Sequence, residues 1–382
     1  MRFGTFHLAE APEVLSPGEA ISAELRQVVF AEDLGFDSVW LAEHHFTSYC
    51  VVNDALSFAA HVAAVTSTVR IGTAVCVLPL HHPVEVAERA TLVDVLSNGR
   101  LMLGVGRGYS AMEFRALGLD PVGRRDRFEE ALDVVLKAWT NERFDHEGDF
   151  WTLKDVALNP RPLQTPHPQV IVAASGSPET LARVAARGLP LMFGDDFLTP
   201  ESVAERIDVY RAGAAEAGLP PDGAGILVGE SWLMLKIHMA ESRKEARRMA
   251  GPYALWRNTK VQELDPVVAS PTLLSKIAKR APGAEALISD PATKHWTDVT
   301  ADDLTGFGLF GTPDDVAKMI EEFEAAGIRN IILSFGFGGM PEMMVRRSMK
   351  QFATEVAPAF TGSTAAVGHD LALRSVHTHA RF

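Results

Sequence analysis

The 382-residue sequence holds only two cysteines, Cys50 and Cys76. Neither belongs to a CxxC pair, so the sequence predicts neither a disulfide framework nor a structural zinc site. Basic residues are not in excess. Lys and Arg number 36 against 49 Asp and Glu, for a net charge of −13 and an isoelectric point near 5.5. That balance argues against a general binder of nucleic acid or anionic membrane. No uninterrupted apolar run is long enough to cross a bilayer. The opening Met1-Arg2-Phe3-Gly4-Thr5-Phe6 lacks the charged region, apolar stretch and cleavage site of a signal peptide. A GxGxxG after the first strand and a GxSxG elbow are both missing. These absences leave a cytoplasmic protein with small-molecule chemistry as the expectation.

What is present is a long alternation of strands and helices. Strands are expected at 2–8, over Ser38-Val39-Trp40-Leu41-Ala42, and at 69–77, 100–106, 170–174, 189–193, 227–239 and 329–335. Helices separate them, opened by Ser16-Pro17, Asn53-Asp54, Pro83, Arg124, Pro178, Thr199-Pro200, Ser242 and Thr312-Pro313. Each opening is a capping residue, a first-turn proline or the start of an amphipathic period. Gly35, Gly218 and Gly327 stand where helices end. A polar, aromatic excursion at 144–158 reads as an external hairpin after the fourth strand. Periodicity is lost from 259 to 310, the mark of a mobile lid. The tail from 358 to 382 is rich in small, polar and His residues and reads as unstructured. Eight strands alternating with helices, without a domain break, predict one α/β domain, a (β/α)8 (TIM) barrel over 1–357.

A barrel of this kind places its chemistry at the C-terminal ends of the strands. The predicted pocket residues are therefore Glu43, His44, 76–78, 107–110, 175–177, Asp195 and 336–339. An acid and two imidazoles close the second strand in Glu43-His44-His45. Three titratable groups at a strand end favour a site over a capping role. Adjacent residues of an extended chain face opposite ways, so His44 and His45 do not converge on one ion, and no metal is expected. Arg107 lies between Gly106 and Gly108, where backbone can approach a ligand closely. Ser175-Gly176-Ser177 offers hydroxyls and amides at a helix start, an anion site or a plain N-cap turn. Together they suit a phosphorylated cofactor with an aromatic ring over an apolar floor. Spacing alone does not identify the ring. Cys76, in an apolar strand, reads as a small core residue.

Longer stretches of the sequence resemble a known family. They are Arg2-Phe3-Gly4-Thr5-Phe6; the run Gly35-Phe36-Asp37-Ser38-Val39-Trp40-Leu41-Ala42-Glu43-His44-His45-Phe46-Thr47; Val69-Arg70-Ile71-Gly72-Thr73-Ala74 with Leu78-Pro79 and His82-Pro83; and Gly99-Arg100, Arg107-Gly108, Gly188-Leu189-Pro190 and Gly311-Thr312-Pro313. The chain resembles the luciferase-like flavin-dependent monooxygenases along nearly its whole length. The likeness runs closest to the bacterial luciferase catalytic (alpha) chains and is densest in the first third.

The resemblance implies a two-component monooxygenase, oxidising a small organic substrate with O2 and FMN. The FMN would be supplied as FMNH2 by a separate NAD(P)H:flavin reductase and would act through a C4a-(hydro)peroxyflavin. It further implies that His44 is the catalytic imidazole and that Arg107, with Gly108, and Ser175, with Gly176 and Ser177, hold the phosphate. A non-prolyl cis peptide at Ala74–Val75 is implied beneath the flavin ring, and Glu113 is implied as an acid close to that site. Glu43 either orients His44 or forms a supporting pair, and His45 is expected to be structural. Gly106 replaces a reactive cysteine of the luciferases, so thiol chemistry is not implied there, and Ala174 replaces a glutamate, so the phosphate contacts differ in detail; Glu230, Trp232 and the lid differ as well, so light emission is not implied. Two rivals stand beside this reading. One is an F420-dependent oxidoreductase of the same superfamily. The other is a non-catalytic flavin-binding subunit. A homodimer is expected from the family, with Leu56, Phe58 and Val62 assigned to its surface or, more safely, to the core.

Overall fold

The computed structural model describes residues 1–174, 177–194, 197–264 and 299–361. Twelve strands are present: β1 (Arg2–His7), β2 (Ser38–Leu41), β3 (Arg70–Thr73), β4 (Cys76–Val77), β5 (Leu101–Gly106), β6 (Phe144–Glu147), β7 (Thr152–Val156), β8 (Gln169–Ala173), β9 (Leu191–Phe193), β10 (Trp232–Met239), β11 (Leu309–Gly311) and β12 (Asn330–Ser334). Eight pair in parallel in the order β1-β2-β3-β5-β8-β9-β10-β12, and β12 closes on β1. The result is the expected (β/α)8 barrel. A closed parallel sheet is buried on both faces, which explains strands that read as continuous apolar runs.

Alternation along the strands separates two cores. Phe6, Trp40, Met102, Ile171, Met192, Trp232 and Ile332, one from each of seven barrel strands, meet inside the barrel. Their neighbours Val39, Leu41, Leu101, Leu103, Leu233, Ile331 and Leu333 face the helices. The interior is filled by large rings: Trp40 and Trp232 lie 4.9 Å apart between centroids. Gly72 makes the room, since a Cβ there would lie 2.3 Å from the Trp40 ring.

Helix starts follow the predicted caps. Ser16 and Glu19 form a capping box for the helix Pro17–Asp33. Asp54 caps Ala55–Val65, and Thr199 and Thr312 do the same for Pro200–Glu216 and Pro313–Ala325. Leu56 and Val62 are buried in the helix-facing core and Phe58 packs against it, as the safer reading had it. The β6–β7 hairpin is the excursion after the fourth barrel strand.

Four boundaries differ from the sequence expectation. The third strand breaks after Thr73, passes a cis Ala74–Val75 bond, and resumes as β4. The seventh barrel strand begins at Trp232, because Pro221–Gly229 is a helix entered through Pro220-Pro221. Its Ile226 faces solvent at 67% exposure, so the run is one-sided rather than buried. The helix expected from Ser242, with periodicity lost from 259, runs Arg243–Leu264 despite Pro252. The segment expected as a lid is therefore ordered at both ends, with a helix at Ala301–Thr305 and β11. Its remainder, 265–298, lies outside the described residues. The tail continues as helix over Pro358–Thr361, and 362–382 also lies outside the described residues. Among the described residues, no helix is long and apolar enough to cross a membrane.

Candidate active site

His44 follows β2 directly, at the C-terminal mouth of the barrel. Its backbone N–H donates to Val52 O at 3.1 Å. Its ring is mostly buried and its Nδ1 lies 2.9 Å from Glu113 Oε1. The same oxygen accepts the His45 backbone N–H at 2.9 Å. Glu113 comes from the short helix Ala111–Ala116 after β5 and is 1% exposed. The rings of Tyr49 and Tyr109 flank the imidazole at 5.0 and 5.5 Å. The Tyr109 hydroxyl is 3.5 Å from His44 Nε2.

Glu43 points elsewhere. Its Oε1 meets His81 Nε2 at 2.7 Å and the Val77 N–H at 3.3 Å, and its Oε2 meets the Ala55 N–H at 3.4 Å. His45 Nε2 lies 3.6 Å from Oε1, an ionic contact too long for a hydrogen bond. Glu43 therefore pairs with His81 and His45, and the acid that meets His44 is Glu113. Burial alone would raise the Glu43 carboxyl. The contacts and charges of His45 and His81 outweigh it and bring it down to about 2. Glu43 in turn raises the His45 imidazole, against the effect of burial.

Glu43, Cys76 and His81 place three donor atoms within 4.8 Å of one another. Arg89 Nη2 approaches His81 Nδ1 at 3.4 Å. A guanidinium only donates, so His81 carries its proton on Nε2, facing Glu43. Hydrogen bonds join Glu43 and His81 within this cluster. Cys76 is buried, and burial pushes its thiol well above the ordinary value.

Ala74 and Val75 follow β3, and both pack against the interior core from the mouth side. Gly106 ends β5 beneath them, and a Cβ there would lie 2.6 Å from Val75 Cγ2. Gly108 has φ +69°, and a Cβ there would lie 2.7 Å from Val77 Cγ1. Only glycine suits that conformation and that space.

Arg107 leaves this turn half-buried. Burial lowers its guanidinium from the ordinary value, and the like charges of Arg125, Arg124 and Arg183 lower it further. Arg183 Nη2 is buried without a hydrogen-bond partner among the described residues. Four guanidinium groups thus gather where β5 and β8 end. The arginine pair opens the helix Arg124–Thr140, an end that normally repels cations. That anomaly was visible in the sequence and is the signal that would have found them. Tyr109 falls within the predicted 107–110, whereas nothing comparable marks His81, which reaches the site through a long-range contact with Glu43. Ser177 caps the helix Pro178–Ala186, its Oγ accepting from the Thr180 N–H at 3.3 Å. Ser175, Gly176 and Asp195 lie outside the described residues.

Across the mouth, a cavity of about 30 Å³ sits at the ends of β10 and β12, lined by Leu198, Met234, Lys236, Arg257, Phe307 and Ser334. The site residues thus form one arc over consecutive strand ends. His44 stands on β2, the Ala74–Val75 floor on β3, Arg107 on β5 and the Ser177 turn on β8.

Residues 1–330 match the luciferase-like monooxygenase family. The chain belongs to that family. It is 28% identical to the limonene 1,2-monooxygenase of Rhodococcus erythropolis, over 90% of this chain and 82% of that one. It is likewise 28% identical to the alkanal monooxygenase alpha chain of the Kryptophanaron alfredi symbiont, over 94% and 98%. A protein of Sinorhizobium fredii, y4vJ, is 40% identical, but the match spans only 49% of this chain and 54% of that protein. Among solved structures, the monooxygenase RslO1 from Streptomyces bottropensis superposes with a TM-score of 0.77 at 26% identity, over 94% of this chain and 100% of that one. An F420-dependent secondary alcohol dehydrogenase shares the fold, with a TM-score of 0.71 at 23% identity over 94% and 99%.

Proposed function

We propose that this chain is the oxygenase component of a two-component monooxygenase, using FMNH2 and O2 to oxygenate a small organic substrate. The observation that carries the reading is the arc of strand ends. It sets a basic basin at one end, an imidazole–carboxylate pair at the other, and an apolar floor between. Reduced FMN has that order of parts, an anionic phosphate joined to a flat, largely apolar ring. Arg107, Arg124, Arg125 and Arg183 would hold the phosphate, with Gly108 and Ser177 at its side; the resemblance adds Ser175 and Gly176 to the same role. The partnerless Arg183 Nη2 and the glycine-lined turn are what a bound anion would complete. Ala74 and Val75 would carry the ring. The bound cofactor supplies the activation of O2.

This chain's own residues supply the rest. His44 exchanges a proton at the reacting end, as a general acid–base group within reach of the mouth. Glu43 serves as a structural tie: it fastens His45, His81 and the backbone after the cis bond, so that His44 and the floor keep their spacing. A separate NAD(P)H:flavin reductase would deliver FMNH2, and a homodimer is the assembly we assign. One named relative is itself described as the oxygenase component of a flavin-dependent trigonelline monooxygenase, at 29% identity over 46% of this chain and 49% of that one.

The F420 enzyme shares the barrel, so the fold does not choose the cofactor. Anaerobic titration of tryptophan fluorescence does. FMNH2 should quench at micromolar concentrations and reduced F420 should not. Tighter binding of reduced F420 would replace this reading with hydride transfer.

A further inference from the structure

We propose that Glu113 is the positioning residue for His44, fixing its ring as the Nδ1–H tautomer and turning the unprotonated Nε2 toward the mouth. The claim that Nε2 then works as a base rests on the function proposed above; the tautomer does not. One oxygen decides the tautomer. Glu113 Oε1 already accepts the His45 backbone N–H at 2.9 Å. As a carboxylate Glu113 only accepts, so this oxygen presents a lone pair to its second neighbour, His44 Nδ1, also at 2.9 Å. Nδ1 must then be the donor, and in a neutral imidazole Nε2 is left as the acceptor.

Both ends of the pair are held. On the acid side, Ser110 caps the helix carrying Glu113, its Oγ accepting the Glu113 N–H at 3.3 Å and donating to Leu264 O at 3.2 Å. On the imidazole side, the His44 and His45 backbone amides are both bonded. Glu113 has no exposure to exchange this partner for water. Glu43 cannot take over the task, since adjacent residues of an extended segment diverge and its oxygens meet His81, Val77 and Ala55.

The remaining ring nitrogen faces Tyr109, whose hydroxyl lies 3.5 Å from Nε2. A proton taken from an O–H in the mouth bonds to Nε2 and makes an imidazolium. The carboxylate on the far side offsets that charge, and the proton leaves again from Nε2. Nothing is oxidised or reduced in this transfer. Glu113 touches neither substrate nor cofactor in this scheme; it acts through His44.

The test has two parts. In protein labelled with 15N-histidine, the long-range 1H–15N spectrum distinguishes the two tautomers, and His44→Gln identifies the His44 signals by their loss. The expected pattern is a protonated Nδ1 and a bare Nε2. The reverse pattern would overturn the assignment whatever the protein's activity. The second part is a double-mutant cycle on turnover with FMNH2. Glu113→Ala should slow turnover about 100-fold beside His44, within the usual range for acid–base groups, and have almost no effect in the His44→Ala background. Equal losses in both backgrounds would show a role independent of His44. Where alanine does not fold, Glu113→Gln keeps the shape and the accepting oxygen but not the charge. The tautomer pattern should then persist while turnover falls about tenfold, and unchanged turnover would contradict the proposal. Absence of turnover in the unaltered protein would count against the monooxygenase reading alone, since the spectrum decides the tautomer separately.

Discussion

Replacing Glu43 with glutamine keeps its shape and removes its charge. In the folded chain the carboxyl stands at about 2 against an ordinary 4.5: burial would raise it, and the contacts and charges of His45 and His81 outweigh burial. The difference of 2.5 units is worth on the order of 3 kcal/mol of folding stability. A carboxyl lowered by folding stabilises above its unfolded value, and that contribution fades as pH falls from about 4.5 toward 2. His45 moves the other way. Its raised imidazole stabilises while protonated, below about 6.5, and its share fades as pH rises through the folded value. The assay is reversible urea unfolding of wild type and Glu43→Gln across pH. The stability gap should be widest near pH 5 to 6, at about 3 kcal/mol, and should narrow on both sides. A gap that is constant with pH, or absent near pH 5.5, would show that the charge of Glu43 does not tie β2 to the loop after β4.

Three further outcomes follow from the geometry. Arg107→Ala should weaken FMN at least tenfold more than riboflavin in equilibrium titrations, since it removes one guanidinium from the basic basin; equal weakening of both ligands would take the phosphate away from Arg107. Gly72→Ala should cost about 1–3 kcal/mol in urea unfolding, because its Cβ would lie 2.3 Å from a Trp40 ring that the closed barrel holds in place. A stability within about 0.5 kcal/mol of wild type would mean that the interior has slack. Arg183→Ala should weaken inorganic phosphate binding by several-fold while leaving riboflavin binding unchanged, and an equal effect on both would assign Arg183 to packing.

The barrel was legible because local signals agreed with it. Ser16 with Glu19, Asp54 and Thr199 mark helix starts by chemistry that acts within four residues. Strand positions such as Trp40 and Met102 alternate with helix-facing neighbours. The start of the predicted strand at 227–229 misled because short apolar stretches suit a strand or a helix equally. Only the proline pair before it and the exposure of Ile226 decide for helix. Within the site, His44 and Arg107 were found from their flanking residues and from the family resemblance. The resemblance also put Glu113 close to the site, but not its pairing with His44, nor the arginines that join Arg107. Sixty-nine positions separate Glu113 from His44 in the chain, and no spacing rule connects them. The sequence offered Glu43 as the neighbouring acid, but an extended backbone turns adjacent side chains apart, so the tertiary fold supplied a different carboxylate.

The central claim, that this mouth binds reduced FMN and directs its reaction with O2 through His44, is tested most directly by stopped-flow absorbance. Anaerobic FMNH2 bound to the protein is mixed with oxygenated buffer, with wild type and His44→Ala run side by side. The account predicts a transient spectrum in wild type, distinct from both reduced and oxidised FMN. It predicts that His44→Ala still binds FMNH2 but changes the lifetime of that transient by about tenfold or more. Reoxidation of FMNH2 at the rate seen without protein, with no transient in either sample, would contradict it.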